Sequence, residues 1–164
     1  MNLIIQNTLP LDTPPHPQAE QDYVELEWYE AGRHILRKTT TNGRDISFRM
    51  LQEGQRLKHG DIVYSDTRVF IRITIKPCAA IVIAPKNLPD MARACYEIGN
   101  KHSPLFLEGD ELTMPYDKPM FLWLEAAGFQ PQQAERRLSL ALRANSAPGF
   151  GGHHSHSHGH GHDH

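Results

Sequence analysis

Apolar and polar residues alternate along the first half of the chain, and the alternation predicts its elements. In residues 23–30, Val24, Leu26 and Trp28 share one face while Glu25 and Glu27 take the other, which is the pattern of a strand with one side buried. Residues 69–75 repeat it, with Val69, Ile71, Ile73 and Ile75 inward and Arg72 and Thr74 outward. Shorter strands are predicted at residues 3–6, 34–40, 45–51 and 62–66, separated by the turn chemistry of Ala31-Gly32, Asn42-Gly43 and His59-Gly60-Asp61. Four prolines within residues 9–18 make that stretch an extended loop. The first half reads as an all-β unit.

The texture changes at Lys76-Pro77. Residues 79–84 are continuously apolar, and helical spacing follows. Asn87 can cap a helix that has Pro89 in its first turn; Leu88, Met91, Ala92, Cys95 and Ile98 supply an apolar stripe, and Gly99-Asn100 supplies the stop. A hairpin of residues 104–107 and 111–114 turns on Glu108-Gly109-Asp110, a second helix over 118–127 closes on Gly128, and a last strand falls within 129–138. The order β-α-β-β-α-β in about 60 residues is the split β-α-β arrangement of ferredoxin-like folds. The expected fold class is α+β: a β-rich domain over residues 1–76, a ferredoxin-like domain over 77–145, and a flexible linker with a His-rich tail, disordered without a ligand, over 146–164. Internal repeats of 20 to 50 residues are absent, which excludes solenoids and propellers.

Composition narrows the function. The 164 residues carry 17 Lys plus Arg against 19 Asp plus Glu, a formal charge of -2 that disfavours a general nucleic-acid binder. No run of about 18 apolar residues is present to span a membrane, and the start Met1-Asn2-Leu3-Ile4-Ile5 lacks the features of an export signal, so the cytoplasm is the expected compartment. Cys78 and Cys95 are too few for a disulfide framework and form no C-x-x-C pair. The chain also lacks G-x-S-x-G, a P-loop, a dinucleotide fingerprint and H-E-x-x-H, so no enzyme signature is present.

What stands out is 11 histidines, seven of them in the last twelve residues: His153, His154, His156, His158, His160, His162 and His164. Imidazole suits Ni, Cu, Zn and Co, and flexible alternation lets several rings wrap one ion. Interruption by Ser, Gly and Asp distinguishes this tail from an appended, uninterrupted purification run. His102 is the second candidate. It follows the helix stop and precedes Ser103-Pro104, a pair that favours extended backbone at a surface. A loop histidine is either simply solvated or a ligand, and one imidazole fills no coordination shell. Cys95 lies two helical turns away, roughly 10 Å along the axis, and reads as core. Any co-ligands for His102 must then come from the tail or another chain, most economically across a two-fold dimer. Glu108, Asp110, Glu111 and Asp117 are either a second shell around a cation or a solvated hairpin. His16, His34 and His59 have no ligand-like spacing and read as surface residues. Protons compete for imidazole near its unperturbed pKa of about 6.5, so metal affinity falls as pH drops through that region.

These residues carry a family resemblance. The stretch Ala94-Cys95-Tyr96-Glu97-Ile98-Gly99-Asn100-Lys101-His102-Ser103-Pro104-Leu105, then Gly109-Asp110-Glu111-Leu112 and the His-rich end, resembles the urease accessory nickel chaperone family, UreE. Asp22-Tyr23-Val24-Glu25-Leu26-Glu27-Trp28 and Gly43-Arg44-Asp45-Ile46 extend the resemblance over most of residues 1–145. It implies a partner-contacting β-rich domain, a ferredoxin-like metal-binding domain, and a homodimer in which His102 meets its symmetry mate and binds nickel. It further implies a cytoplasmic metallochaperone, not an enzyme, that delivers Ni(II) to apo-urease, with the accessory GTPase as immediate partner within the urease activation complex. Lys101 stands where the family motif has Arg, and Tyr116 and Lys118 stand where some relatives bear extra histidines, so those accessory sites are missing. Nickel comes from the resemblance alone, because Cu(II) outcompetes Ni(II) at most nitrogen sites and binding of Cu(II), Zn(II) or Co(II) in vitro is equally expected. The rival readings are a passive metal buffer and a metal-dependent hydrolase, the latter without a motif.

Overall fold

In the computed structural model, which describes residues 2–52 and 54–142, the chain has the α+β class, a β-rich domain followed by a second domain that holds both helices found among the described residues. Six strands precede Lys76: β1 (Asn2–Ile5), β2 (Glu20–Leu26), β3 (Ile35–Thr39), β4 (Asp45–Arg49), β5 (Ile62–Ser65) and β6 (Val69–Ile75). They make two three-stranded sheets, β1-β4-β3 and β2-β6-β5. β1 runs parallel to β4 and β2 parallel to β6, while β3–β4 and β5–β6 are antiparallel. Val24, Leu26, Ile71 and Ile73 from one sheet meet Leu36, Ile46 and Phe48 from the other in a shared core. Asn42-Gly43 makes the β3–β4 turn, where Gly43 has φ +82, a conformation costly for any residue with a Cβ.

Asp22 ties the two sheets together. Its side chain is fully buried, accepts hydrogen bonds from the Asn42 N–H and the Thr41 hydroxyl at 3.0 Å, and pairs with Arg44 Nη1 at 2.6 Å. Arg44 also pairs with Glu20. Burial alone would raise the Asp22 carboxyl, but hydrogen bonds from Thr40, Arg44, Asn42 and Thr41 outweigh it and hold the pKa at about 2.

Two strand expectations are corrected. β2 ends at Leu26 rather than running through Trp28, because the Glu30 carboxylate accepts the Glu27 N–H at 2.9 Å and the Glu30 N–H returns to Glu27 O at 3.0 Å, turning the chain. The alternation of β6 is not strict: Phe70 is buried too, covered by the Arg72 guanidinium 5.0 Å above its ring.

The second domain contains β7 (Cys78–Ile83), α1 (Leu88–Asn100), β8 (Leu105–Glu108), β9 (Glu111–Pro115), α2 (Lys118–Ala126), β10 (Gln132–Arg136) and β11 (Ala141–Leu142). The sheet order β10-β7-β9-β8-β11 has the ferredoxin-like order in its first four strands. β7 explains the uninterrupted apolar run. Its Ile81 and Ile83 lie in the core beneath the helices with Ala94, Ile98 and Leu124, while Ala80 packs on the other side with Phe106 and Leu138. No helix among the described residues is long and apolar enough to cross a membrane.

The apolar stripe of α1 differs from expectation. Ala94 and Ile98 are buried and Met91 and Cys95 pack beside them, but Leu88 is 80% exposed and Ala92 faces outward. The core-facing side is therefore rotated towards Ala94. α2 begins as expected, with the Asp117 side chain accepting the Met120 N–H at 3.0 Å, and ends one residue early at Ala126. β11 was not expected, since two residues carry no periodicity.

The domains meet at an aromatic seam. Trp28 packs edge-on against Phe106, centroids 5.9 Å apart, and Arg56 lies 5.3 Å over the same ring. Polar contacts flank it: the His59 N–H donates to Ser139 Oγ at 2.8 Å and Arg137 Nε to Ile75 O at 3.1 Å. Phe106→Leu keeps the seam apolar but removes both ring contacts. It is expected to cost about 1 kcal/mol, read as a lowered midpoint in urea denaturation.

Candidate metal centre

α1 delivers His102. Asn87 caps its start, accepting the Asp90 N–H at 2.9 Å. Its end is set one step later than Gly99-Asn100 suggests: both residues remain helical, Lys101 is the C-cap, and the Lys101 and His102 N–H groups close onto Ile98 O and Gly99 O at 3.1 and 3.0 Å. His102 itself takes the left-handed conformation that terminates the helix, with φ +55. That position usually belongs to glycine. A non-glycine residue there gives up roughly 1 kcal/mol or more, and such outliers concentrate at functional sites. Here the conformation leaves an exposed imidazole just past the C-cap of α1.

No group of three or more His, Cys, Asp or Glu side chains able to hold a metal occurs among the described residues. His102 thus belongs to no such group among the described residues of one chain. Cys95 Sγ lies 4.0 Å from Met91 Sδ against the helical core, and burial pushes its thiol pKa up, away from the thiolate a metal needs. The acidic residues have structural work. Glu108 and Glu111 pair with Arg136 at 3.5 and 3.3 Å, and Asp117 caps α2, leaving Asp110 exposed in the turn.

β11 connects this centre to the tail. Leu142 pairs with Leu105 and Ala141 with Phe106, so the last described residue lies beside the strand that begins three residues after His102. From Leu142 to His153 is eleven residues, a maximum span of roughly 35 Å at 3.3 Å each, against roughly 10 Å from Leu105 back to His102. The chain is long enough to return its imidazoles to His102. The seven tail histidines, His153, His154, His156, His158, His160, His162 and His164, and the linker before them lie outside the described residues.

The remaining histidines are not uniform. His34 is exposed, and His16 Nδ1 accepts the Gln18 N–H at 3.3 Å. His59 is more than a surface residue. Besides its main-chain bond to Ser139, its Nδ1 accepts the Ile75 N–H at 3.2 Å, and burial, then the nearby Arg137 charge, push its pKa below the ordinary imidazole value. Only sequence-distant neighbours reveal this role, as Ser139 is 80 positions away.

Comparison with known proteins places these features in a family. The family model described as "UreE urease accessory protein, N-terminal domain" matches residues 2–76, and the corresponding C-terminal domain model matches residues 77–164. The chain is similar to the urease accessory protein UreE of Actinobacillus pleuropneumoniae, 68% identical over 128 residues that cover 78% of this chain and 68% of the relative. The protein of the same name from Haemophilus influenzae (strain PittGG) is 68% identical over 126 residues, covering 77% of this chain and 68% of the relative. That of Flavobacterium johnsoniae is 43% identical over 127 residues, 77% of each chain. The chain belongs to the UreE urease accessory protein family.

Proposed function

We propose that this protein is a homodimeric nickel metallochaperone that carries Ni(II) as cargo and delivers it to apo-urease during assembly of the urease metallocentre. The observation that supports this most is the exposed His102, held in a left-handed conformation at the end of α1 with no co-ligand group beside it among the described residues. An imidazole presented this way needs partners from outside its own domain. A second copy supplies one across a two-fold axis, and the face of α1 suits such a contact: Leu88, Ala92 and Tyr96, at spacings of four, are exposed, Leu88 by 80% and Tyr96 by 71%. The tail, rooted beside β8, supplies further imidazoles.

In this reading two neutral His102 rings form the interfacial site, and a tail histidine completes or reloads it. Transfer proceeds by ligand exchange, each new imidazole bond forming before the last one breaks. Tethering keeps the exchanging rings at an effective concentration in the millimolar range. The β-rich domain of residues 1–76 contacts the accessory GTPase and the urease activation complex, and the protein works in the cytoplasm without catalysing a reaction of its own.

Cutting the chain after Asn145 is expected to remove most nickel capacity while leaving one tight site per dimer, as calorimetry would show. Urease activation in cells lacking this chain is expected to return with the intact protein and not with His102→Ala. A protein that stores nickel but binds no urease accessory protein would overturn delivery in favour of passive buffering.

A further inference from the structure

α1 carries two cations on one face, Arg93 and Lys101, eight residues or about 12 Å apart. Each lies on an aromatic ring from α2 or the turn after it. Lys101 Nζ is 4.1 Å from the Trp123 ring centroid, and the Arg93 guanidinium carbon is 4.2 Å from that of Phe129. The two rings touch, centroids 6.3 Å apart, and Arg93 Nη1 also donates to Ala127 O at 3.4 Å. The result is a ladder of cation, ring, ring and cation that straps the exposed flank of α1 to α2. Its last rung is the C-cap residue itself. Lys101 immediately precedes His102, so the atoms resting on Trp123 belong to the residue whose backbone sets up the left-handed turn.

We infer that Lys101 and Trp123 are positioning residues for the metal site: their cation–π contact fixes the C-cap of α1 and thereby pre-organises His102 for ligation. The inference rests on the reading of His102 as a nickel ligand. Without the contact, the last turn frays, as helix ends do, and His102 leaves the costly left-handed basin for commoner ones. Binding must then recover that conformation, and in a dimer both copies share the loss. The two ways Lys101 can act have opposite signs. As a bare positive charge beside a cation site, it repels the metal, so its removal tightens binding. As a positioning residue, its removal weakens binding.

The test uses the full-length chain with its seven tail histidines replaced by serine, so that Ni(II) calorimetry reads the His102 site alone. Lys101→Gln is expected to weaken nickel binding about three- to tenfold. Lys101→Arg, which keeps a cation able to stack on the ring, should stay within about twofold of the parent. Trp123→Leu, which keeps apolar volume without a π face, should reproduce the Gln result. Unchanged or tighter binding in Lys101→Gln overturns the positioning role, provided His102→Ala abolishes the same signal. If His102→Ala leaves it intact, the metal assignment itself is overturned.

Discussion

His102→Ala is expected to lower nickel affinity at the proposed dimeric site by at least about a hundredfold, because loss of an outer-shell partner of a metal ligand already costs 10- to 100-fold and, in that proposal, a ligand is lost from both copies at once. The magnitude follows from the sparseness of the centre. Among the described residues of one chain, no cluster of three or more potential ligands exists to take over. Cys95 is turned into the helical core, and Glu108, Glu111 and Asp117 are engaged by Arg136 or by the cap of α2. Tail binding should persist, so the variant retains capacity while losing its tightest class of site. Isothermal titration beside sedimentation measurements reads both quantities. A His102→Ala dimer that kept an unchanged tight site would reject the interfacial assignment.

Why His102 was legible while its geometry was not is a matter of which physics is local. Its candidacy came from residue type, its place after a helix and a following Ser-Pro, all visible in a short window. Its conformation was hidden because Gly99 and Asn100 are the residues expected to end a helix, yet both remain in it, and the left-handed position falls on the histidine. The strands of the first domain announced themselves wherever one face was buried. They misled where a side chain reached back to the backbone, as Glu30 does to end β2 before Trp28. Trp28 then packs partly on its own domain's core and also serves the seam against Phe106, a role set by contact with a distant segment. β11 and the His59–Ser139 joint were silent for the same reason: a two-residue strand and a single hydrogen bond leave no periodic trace. The ferredoxin-like order could be read because it is written in the succession of elements.

Arg44→Met is expected to destabilise the first domain by about 3–5 kcal/mol at pH 7, since it leaves the Asp22 carboxylate, fully buried, without its ionic partner. The same pair predicts an acid response with a definite sign. Asp22 has a pKa of about 2 in the fold against an ordinary 3.8, so the folded state favours the ionised form. Its contribution is complete above pH 3.8 and is lost as pH falls towards 2, an amount on the order of 2 kcal/mol. Urea denaturation at pH 7 and again near pH 2 should therefore show the parent losing more stability on acidification than Arg44→Met, in which the buried carboxyl is relieved by protonation. A paired Asp22→Asn, Arg44→Met chain should recover part of the pH 7 loss, because it removes the stranded charge while Thr41 and Asn42 keep an acceptor for their hydrogen bonds. Equal acid sensitivity in parent and Arg44→Met would show that the clamp between β2 and the β3–β4 turn does not depend on the ionised pair.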